Sequence, residues 1–148
     1  MPKHTPPASP SPAVPTRVLC VDDNPDIIAV LRMILDTDPT MRCVGGLGSA
    51  DLLTETVRNL NPPPEVVLLD ATMPGMSPLA VMLAMAQEAP AIRVIFYTGN
   101  TDPEFIDRAM NTGAWGWVSK SEPPETILRA VREVAAGKTW WPRPARRG

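Results

Sequence analysis

Three short apolar runs, each followed at once by a polar residue, constrain the fold of this chain more than any other feature. The polar residues are Asp70, the adjacent pair Asp22 and Asp23, and Thr98. Apolar runs of four residues bounded by turn signals are typical of buried strands. In an open α/β sheet the C-terminal ends of the strands meet at one crevice, where ligands bind. We therefore expect three carboxylates and one hydroxyl to lie together.

Helical segments alternate with five short apolar segments, which predicts an α/β domain. Short strands separated by helices are typical of βαβ units and a parallel sheet. Right-handed crossovers then lead to a doubly wound, three-layer sandwich, for which the strand order 2-1-3-4-5 is one of two common choices. We place the strands at residues 17–22, 42–45, 66–69, 92–98 and 113–118, and helix starts near residues 25, 50, 78, 103 and 124.

Proline and glycine mark several helix ends. Asn24-Pro25 and Asp102-Pro103 each combine a capping side chain with proline at the first helical position. Gly137 is expected to end the fifth helix. Helical spacing in the fourth helix predicts an inner face made of Phe105, Ile106, Ala109 and Met110. The third helix has a broad apolar surface, either a wide core face or a partner surface, formed by Leu79, Val81, Met82, Leu83 and Met85.

The two ends of the chain differ in composition from its centre. Residues 1–15 form a proline-rich segment without the apolar stretch of a signal peptide, so we expect a disordered arm. Residues 16–137 are expected to form one domain. Residues 138–148 carry four basic and no acidic side chains together with Trp140 and Trp141, and are predicted to be a tail. No segment approaches the roughly 20 apolar residues of a membrane helix, so we expect a cytoplasmic protein.

Net charge and cysteine content exclude two further classes of protein. A net charge of -2 argues against a protein that binds nucleic acid over its whole surface. Cys20 and Cys43 are too few for a disulfide framework. Because both fall in predicted strands, we expect buried free thiols in a reducing compartment, and a redox pair is the alternative.

The predicted cluster of carboxylates suits the chemistry of phosphate. Carboxylates that converge on one crevice repel one another, and an all-oxygen ligand set without His or Cys favours Mg²⁺ over Zn²⁺. An aspartate can itself attack phosphorus and form an acyl phosphate. Thr98 and Lys120, which follow the fourth and fifth strands, offer a hydroxyl and an ammonium to the transferred oxygens. Phosphoryl transfer then needs no separate general base.

Four motifs at the predicted strand ends resemble the receiver domain of two-component response regulators. They are Val21-Asp-Asp-Asn-Pro25, Leu69-Asp70 with Met73-Pro-Gly-Met76, Tyr97-Thr-Gly99 and Gly113-Ala-Trp-Gly-Trp-Val-Ser-Lys120. The resemblance covers roughly residues 16–137, and it is greatest to receivers that precede LuxR-type helix-turn-helix domains. It implies a flavodoxin-like sandwich with strand order 2-1-3-4-5.

The resemblance also implies roles for individual residues. Asp70 would be the phospho-acceptor and a ligand of Mg²⁺. The remaining metal ligands would be Asp23 directly, Asp22 often through water, and the backbone carbonyl of Thr72.

Three residues near the fourth and fifth strands would respond to the phosphoryl group. Thr98 would move to bond it, and Lys120 would pair with it and with Asp70. Trp117 occupies the place of the switch aromatic, which is usually Tyr or Phe. Because tryptophan is bulkier, an inward swing would need more space. Trp115 and Trp117 are expected to point to opposite faces of the fifth strand.

The resemblance implies a phosphorelay switch that catalyses only its own aspartyl phosphorylation and dephosphorylation. Its partners would be a histidine kinase or phosphotransfer protein, and a homodimer would use the helix 4–strand 5–helix 5 face. Direct nucleic-acid binding is not expected without a separate output domain. Two alternatives stay open: a receiver-like scaffold that binds proteins without phosphorylation, and a small Mg²⁺-dependent phosphohydrolase.

Overall fold

A single parallel sheet with helices on both faces forms the domain. The computed structural model describes residues 14–75, 77–100 and 102–142, so nearly all of the predicted arm and the last six residues of the predicted tail lie outside it. The strand order is β2-β1-β3-β4-β5, which confirms the predicted topology. The strands are β1 Thr16–Val21, β2 Met41–Leu47, β3 Val66–Leu69, β4 Arg93–Thr98 and β5 Gly116–Ser119. The helices are α1 Pro25–Asp36, α2 Leu53–Asn59, α3 Pro78–Glu88, α4 Pro103–Met110 and α5 Pro124–Ala135.

Side-chain caps define where three of the helices begin. The side chains of Asn24, Ser77 and Asp102 accept hydrogen bonds from backbone N–H groups in the first turns of α1, α3 and α4. Each cap is followed by proline, whose missing N–H would have had no partner in the first helical turn. These starts fix the direction in which each helix leaves the C-terminal end of a strand.

Two hydrophobic clusters lie on the two faces of the sheet. Successive residues of β1 alternate between them, because side chains along a strand point to opposite faces. One cluster joins the sheet to α1 and α5 through Val18, Cys20, Leu31, Leu35, Ile127 and Val131. The other joins it to α2, α3 and α4 through Leu19, Val21, Val57, Met82, Phe96 and Ala109. The three-layer sandwich is therefore confirmed.

The structure differs from the sequence-based prediction in β5 and α4, and it shows which side of α3 faces the core. β5 begins at Gly116 instead of residue 113, because Gly113 has a φ of 92° and belongs to the preceding turn. Met110 is 48% exposed, so its place on the inner face of α4 was wrong, and Ala109 is the buried residue of that helix. In α3, Met82 and Met85 are buried. Leu79 and Leu83 are exposed, which limits the core face to one side of the helix.

The two cysteines are buried and free, as predicted. Their Sγ atoms lie 4.0 Å apart on the α1/α5 side of the sheet. None of the helices that the structure describes is long and apolar enough to cross a membrane.

Gly137 ends α5 with a left-handed residue, and we expect alanine to be costly there. Its φ is 96°, and the N–H groups of Gly137 and Lys138 donate to the carbonyls of Val134 and Glu133. A β-carbon in this conformation costs about 1–2 kcal/mol. Gly137→Ala should lower the free energy of unfolding in urea by that amount. The control Gly48→Ala adds a β-carbon that meets no atom within 4 Å and should not destabilise the protein.

Candidate functional site

The C-terminal ends of β1, β3 and β4 bring the predicted polar residues together. Asp22, Asp70 and Thr98 are 1%, 3% and 0% exposed, whereas Asp23 is exposed. One carboxylate oxygen from each of Asp22, Asp23 and Asp70 lies within 4.8 Å of the others. The sequence-based expectation of a carboxylate cluster at this sheet edge therefore agrees with the structure.

Asp70 is held on both of its carboxylate oxygens. Its Oδ1 accepts hydrogen bonds from the backbone N–H of Thr72 at 3.0 Å and from the Thr72 hydroxyl at 2.9 Å. Its Oδ2 accepts from Lys120 Nζ at 3.3 Å. The backbone N–H of Asp70 donates to the carbonyl of Val21 at 2.9 Å, which ties this residue to the end of β1. The carboxylate is thus fixed in orientation before any reaction.

Asp22 carries a buried carboxylate oxygen whose close partner is the ammonium of Lys120. Its Oδ1 accepts from the backbone N–H of Asn24 at 2.9 Å. Its Oδ2 forms an ion pair with Lys120 Nζ at 2.7 Å. Among the described residues, no donor other than this ammonium bonds to the oxygen. Three clustered carboxylates still carry excess negative charge with the Lys120 ammonium beside them, and their all-oxygen donor set fits a hard divalent cation such as Mg²⁺.

Lys120 joins β5 to the carboxylate cluster. Its backbone N–H donates to the carbonyl of Thr98 at 2.9 Å, and its ammonium contacts both Asp22 and Asp70. Burial lowers the pKa of Lys120, but the hydrogen bond and charge of Asp22, with the charge of Asp70, outweigh burial and raise the pKa above its usual value of 10.5. The ammonium is therefore charged at neutral pH and offsets part of the negative charge of the site.

Thr98 lies at the end of β4 but does not bond to the carboxylates. Its hydroxyl oxygen accepts a hydrogen bond from the backbone N–H of Asn100 at 3.2 Å. A hydroxyl that accepts through its oxygen keeps its own proton free to donate. Thr98 thus has a donor available at the end of the strand next to Asp70.

Trp117 is already packed in the interior, on the α2/α3/α4 side of the sheet. Its ring lies 5.8 Å from that of Phe96 in β4 and 5.4 Å from that of Phe105 in α4. Trp115 packs on the opposite face with the guanidinium of Arg93 4.5 Å above its ring, as the alternation predicted.

Phe105 was expected on the inner face of α4, but its contact with the ring of Trp117 was not predicted, and neither was that of Phe96. One signal was available, because Phe96 precedes Thr98 by two residues and must share its face of β4.

A polar opening lies beside Asp23. It has a volume of about 130 Å³ and lies between residues 48–51, which follow β2, and residues 73–75, which follow Asp70. Asp23 is the member of the carboxylate cluster that lines this opening.

Comparison with known proteins identifies the family. The response regulator receiver domain matches residues 18–132. The probable transcriptional regulatory protein SgaR of Hyphomicrobium methylovorum is 32% identical over 121 residues, which cover 82% of this chain and 56% of that protein. The nitrate/nitrite response regulator protein NarL of Escherichia coli K12 is 27% identical over 124 residues, which cover 84% of this chain and 56% of NarL. The chain thus spans little more than half the length of these relatives.

A solved structure gives the same result. The LuxR-family two-component response regulator from Aurantimonas sp. SI85-9A1 superposes with a TM-score of 0.79 at 25% identity, covering 86% of this chain and 89% of that one. Receiver domains are signalling switches and not classic enzymes, so these matches do not favour a phosphohydrolase, nor a scaffold that works without phosphorylation. This chain belongs to the receiver domains of two-component response regulators.

Proposed function

We propose that Asp70 is the residue that accepts the phosphoryl group. The observation that carries this proposal is the arrangement of a buried carboxylate whose oxygens are fixed by Thr72 and Lys120, within 4.8 Å of two further carboxylates. One oxygen of Asp70 forms a bond to phosphorus while the bond from phosphorus to the donor breaks. The donor is the phosphohistidine of a kinase or phosphotransfer protein, or a small acyl phosphate. The electron pair of the broken bond leaves with the donor group.

Two side chains stabilise the transferred group in this proposal. Lys120 Nζ, already 3.3 Å from Asp70 Oδ2, bonds to a phosphoryl oxygen. The free proton of the Thr98 hydroxyl is donated to another. Charge-assisted donors placed where negative charge develops are the main source of catalysis in such transfers, so the domain promotes its own phosphorylation without a general base.

The same carboxylates are the proposed ligands of Mg²⁺. Asp22, Asp23 and Asp70 supply side-chain oxygens, and the backbone carbonyl of Thr72 is the fourth proposed protein ligand. When bound, Mg²⁺ would neutralise negative charge on the phosphoryl oxygens and on the cluster itself. The three carboxylates support this assignment, because the ammonium of Lys120 offsets only part of the negative charge of the cluster.

The output of the switch is proposed to be the face formed by α4, β5 and α5. Thr98 and Trp117 are the proposed switch residues, and movement of Thr98 towards the phosphoryl group would loosen the packing behind it. Receiver domains interact with histidine kinases, and we propose such a kinase as the phosphodonor here. We further propose a homodimer through the α4–β5–α5 face, a cytoplasmic location, and no direct nucleic-acid binding by this domain alone.

Acetyl phosphate tests the proposed function directly. With Mg²⁺, the acid-quenched protein should gain the mass of a single phosphoryl group. EDTA should prevent the gain, and Asp23→Asn should reduce it strongly by removing an exposed ligand. If the folded protein gains no mass from acetyl phosphate or from a phosphorylated kinase, the proposed function is wrong.

A further inference from the structure

The first residues of the predicted tail lie against the edge of the sheet. We call the segment Lys138–Pro142 the β5 strap. β5 is an outer strand of the sheet, and an outer strand presents unpaired backbone groups. The N–H of Trp140 donates to the carbonyl of Trp115 at 3.0 Å, and its carbonyl accepts from the N–H of Trp117 at 2.8 Å. One residue of the strap therefore closes two backbone hydrogen bonds across Gly116.

The backbone of the strap lies in close contact with this edge at Gly116. A β-carbon placed on Gly116 would lie 2.8 Å from the carbonyl oxygen of Trp140 and 3.3 Å from its Cβ. Both contacts are with atoms at or next to the backbone, which cannot turn away as a flexible side chain can. The close approach therefore requires glycine at position 116.

Aromatic side chains hold the strap on both faces of the sheet. Trp140 packs against the α1/α5 cluster and Trp141 against the α2/α3/α4 cluster. The guanidinium of Arg129 in α5 lies 5.4 Å from the ring of Trp140. The turn at Gly137 fixes where the strap begins. These contacts make the strap an ordered part of the domain that covers the β5 edge.

The strap is connected to the candidate site through Trp117. The strap holds the backbone N–H of Trp117, and the ring of this residue packs between Phe96 and Phe105. Three residues further on, Lys120 bonds to Thr98 through its backbone and to the carboxylates through its ammonium. A turn of Lys120 and Thr98 towards a phosphoryl group would shift the ends of β4 and β5. Because Gly116 and Trp140 are in close contact, such a shift would disrupt the contact between β5 and the strap.

We propose that the strap covers the β5 edge while Asp70 is unphosphorylated and leaves it when Asp70 is phosphorylated. Its departure would expose the backbone groups of Trp115 and Trp117 to an extended segment of a protein partner, which would bind by strand addition. This inference rests on the proposed phosphorylation of Asp70. Because coupling between sites is reciprocal, loss of the strap should in turn favour the phosphorylated conformation.

Hydrogen exchange of the full chain, read by mass spectrometry, tests the strap. Beryllofluoride with Mg²⁺ serves as the phosphoryl analogue. Peptides that contain residues 115–118 and 138–142 should exchange at least tenfold faster with the analogue than without it, and Asp70→Asn should remove this difference. Gly116→Ala should give fast exchange under both conditions. Trp140→Ala provides a second disruption if Gly116→Ala does not fold, and Pro142→Ala, at an exposed position in the same segment, is the matched control.

The outcomes separate the strap from the proposed function. If acetyl phosphate gives the phosphoryl adduct but the analogue leaves exchange at these peptides unchanged or slows it, the strap inference is overturned and the function stands. If Gly116→Ala folds and exchanges like the wild type, the proposed need for a close contact between residue 116 and the strap is wrong. If no adduct forms, the proposed function fails, and release of the strap by phosphorylation fails with it.

Discussion

Asp70→Asn should abolish phosphorylation, so that acetyl phosphate with Mg²⁺ adds no mass to the variant. A carboxamide is not a nucleophile towards phosphorus and cannot form the acyl phosphate. It also replaces the charged Oδ2 of Asp70, which now lies 3.3 Å from Lys120 Nζ, with an NH₂ group or a neutral oxygen. The expected change is complete loss of the adduct on the time scale at which the wild type is fully modified.

The variant should remain folded, because the amide keeps the shape of the carboxylate. Its oxygen can still accept from the backbone N–H of Thr72, and removal of one negative charge relieves repulsion with Asp22 and Asp23. Unfolding in urea with EDTA should show stability at least equal to that of the wild type. Asp26→Asn, in the exposed first turn of α1, is the matched control and should keep the adduct. A phosphoryl adduct of wild-type yield on Asp70→Asn would assign the acceptor to another residue.

The topology and the cluster were predictable because both follow from local patterns. The apolar run 66–69 is buried at every position, as a strand covered on both faces must be, and Asp70 follows it directly. Parallel strands place their C-terminal ends at one edge, so Asp22, Asp23 and Asp70 had to converge once the strands were found. The starts of α1 and α4 were predictable from Asn24 and Asp102, because capping depends only on residues within one turn.

Contacts between distant elements were not predictable in the same way. Residues 138–142 looked like a tail because a single residue that pairs with an outer strand leaves no periodic pattern in the sequence. Met110 was placed inside α4 because its spacing fits the helical stripe, but α4 has eight residues and only Ala109 is buried. The 2.7 Å contact between Lys120 and Asp22 depends on the exact position of β5 and has no sequence signal beyond the identity of the two residues.

The second large effect is expected for Lys120→Met, which keeps the length of the side chain and removes its charge. The rate of phosphorylation by acetyl phosphate should fall about 10²-fold, the usual cost of losing one donor to a developing oxyanion.

The same variant should also be less stable, because Asp22 would lose the cation that lies 2.7 Å from its buried Oδ2. Breaking a fully buried ion pair costs 3–5 kcal/mol, but a quarter of the Lys120 side chain is exposed, so we expect a loss of about 2–3 kcal/mol in the free energy of unfolding.

The pH dependence of this loss distinguishes an ion pair from a packing defect. Because the folded protein raises the pKa of Lys120, the ion pair stabilises the fold fully below the usual lysine value of 10.5, and its contribution disappears as the pH rises through the higher folded value. The difference in stability between wild type and Lys120→Met should therefore be constant from pH 7 to 9 and shrink above 10.5. Lys138→Met, whose side chain is 70% exposed and 4.0 Å from Glu133, is the control and should change neither rate nor stability. A difference that persists unchanged above that pH would mean that Lys120 stabilises the protein by packing, and its charge would then have no part in holding the carboxylate cluster together.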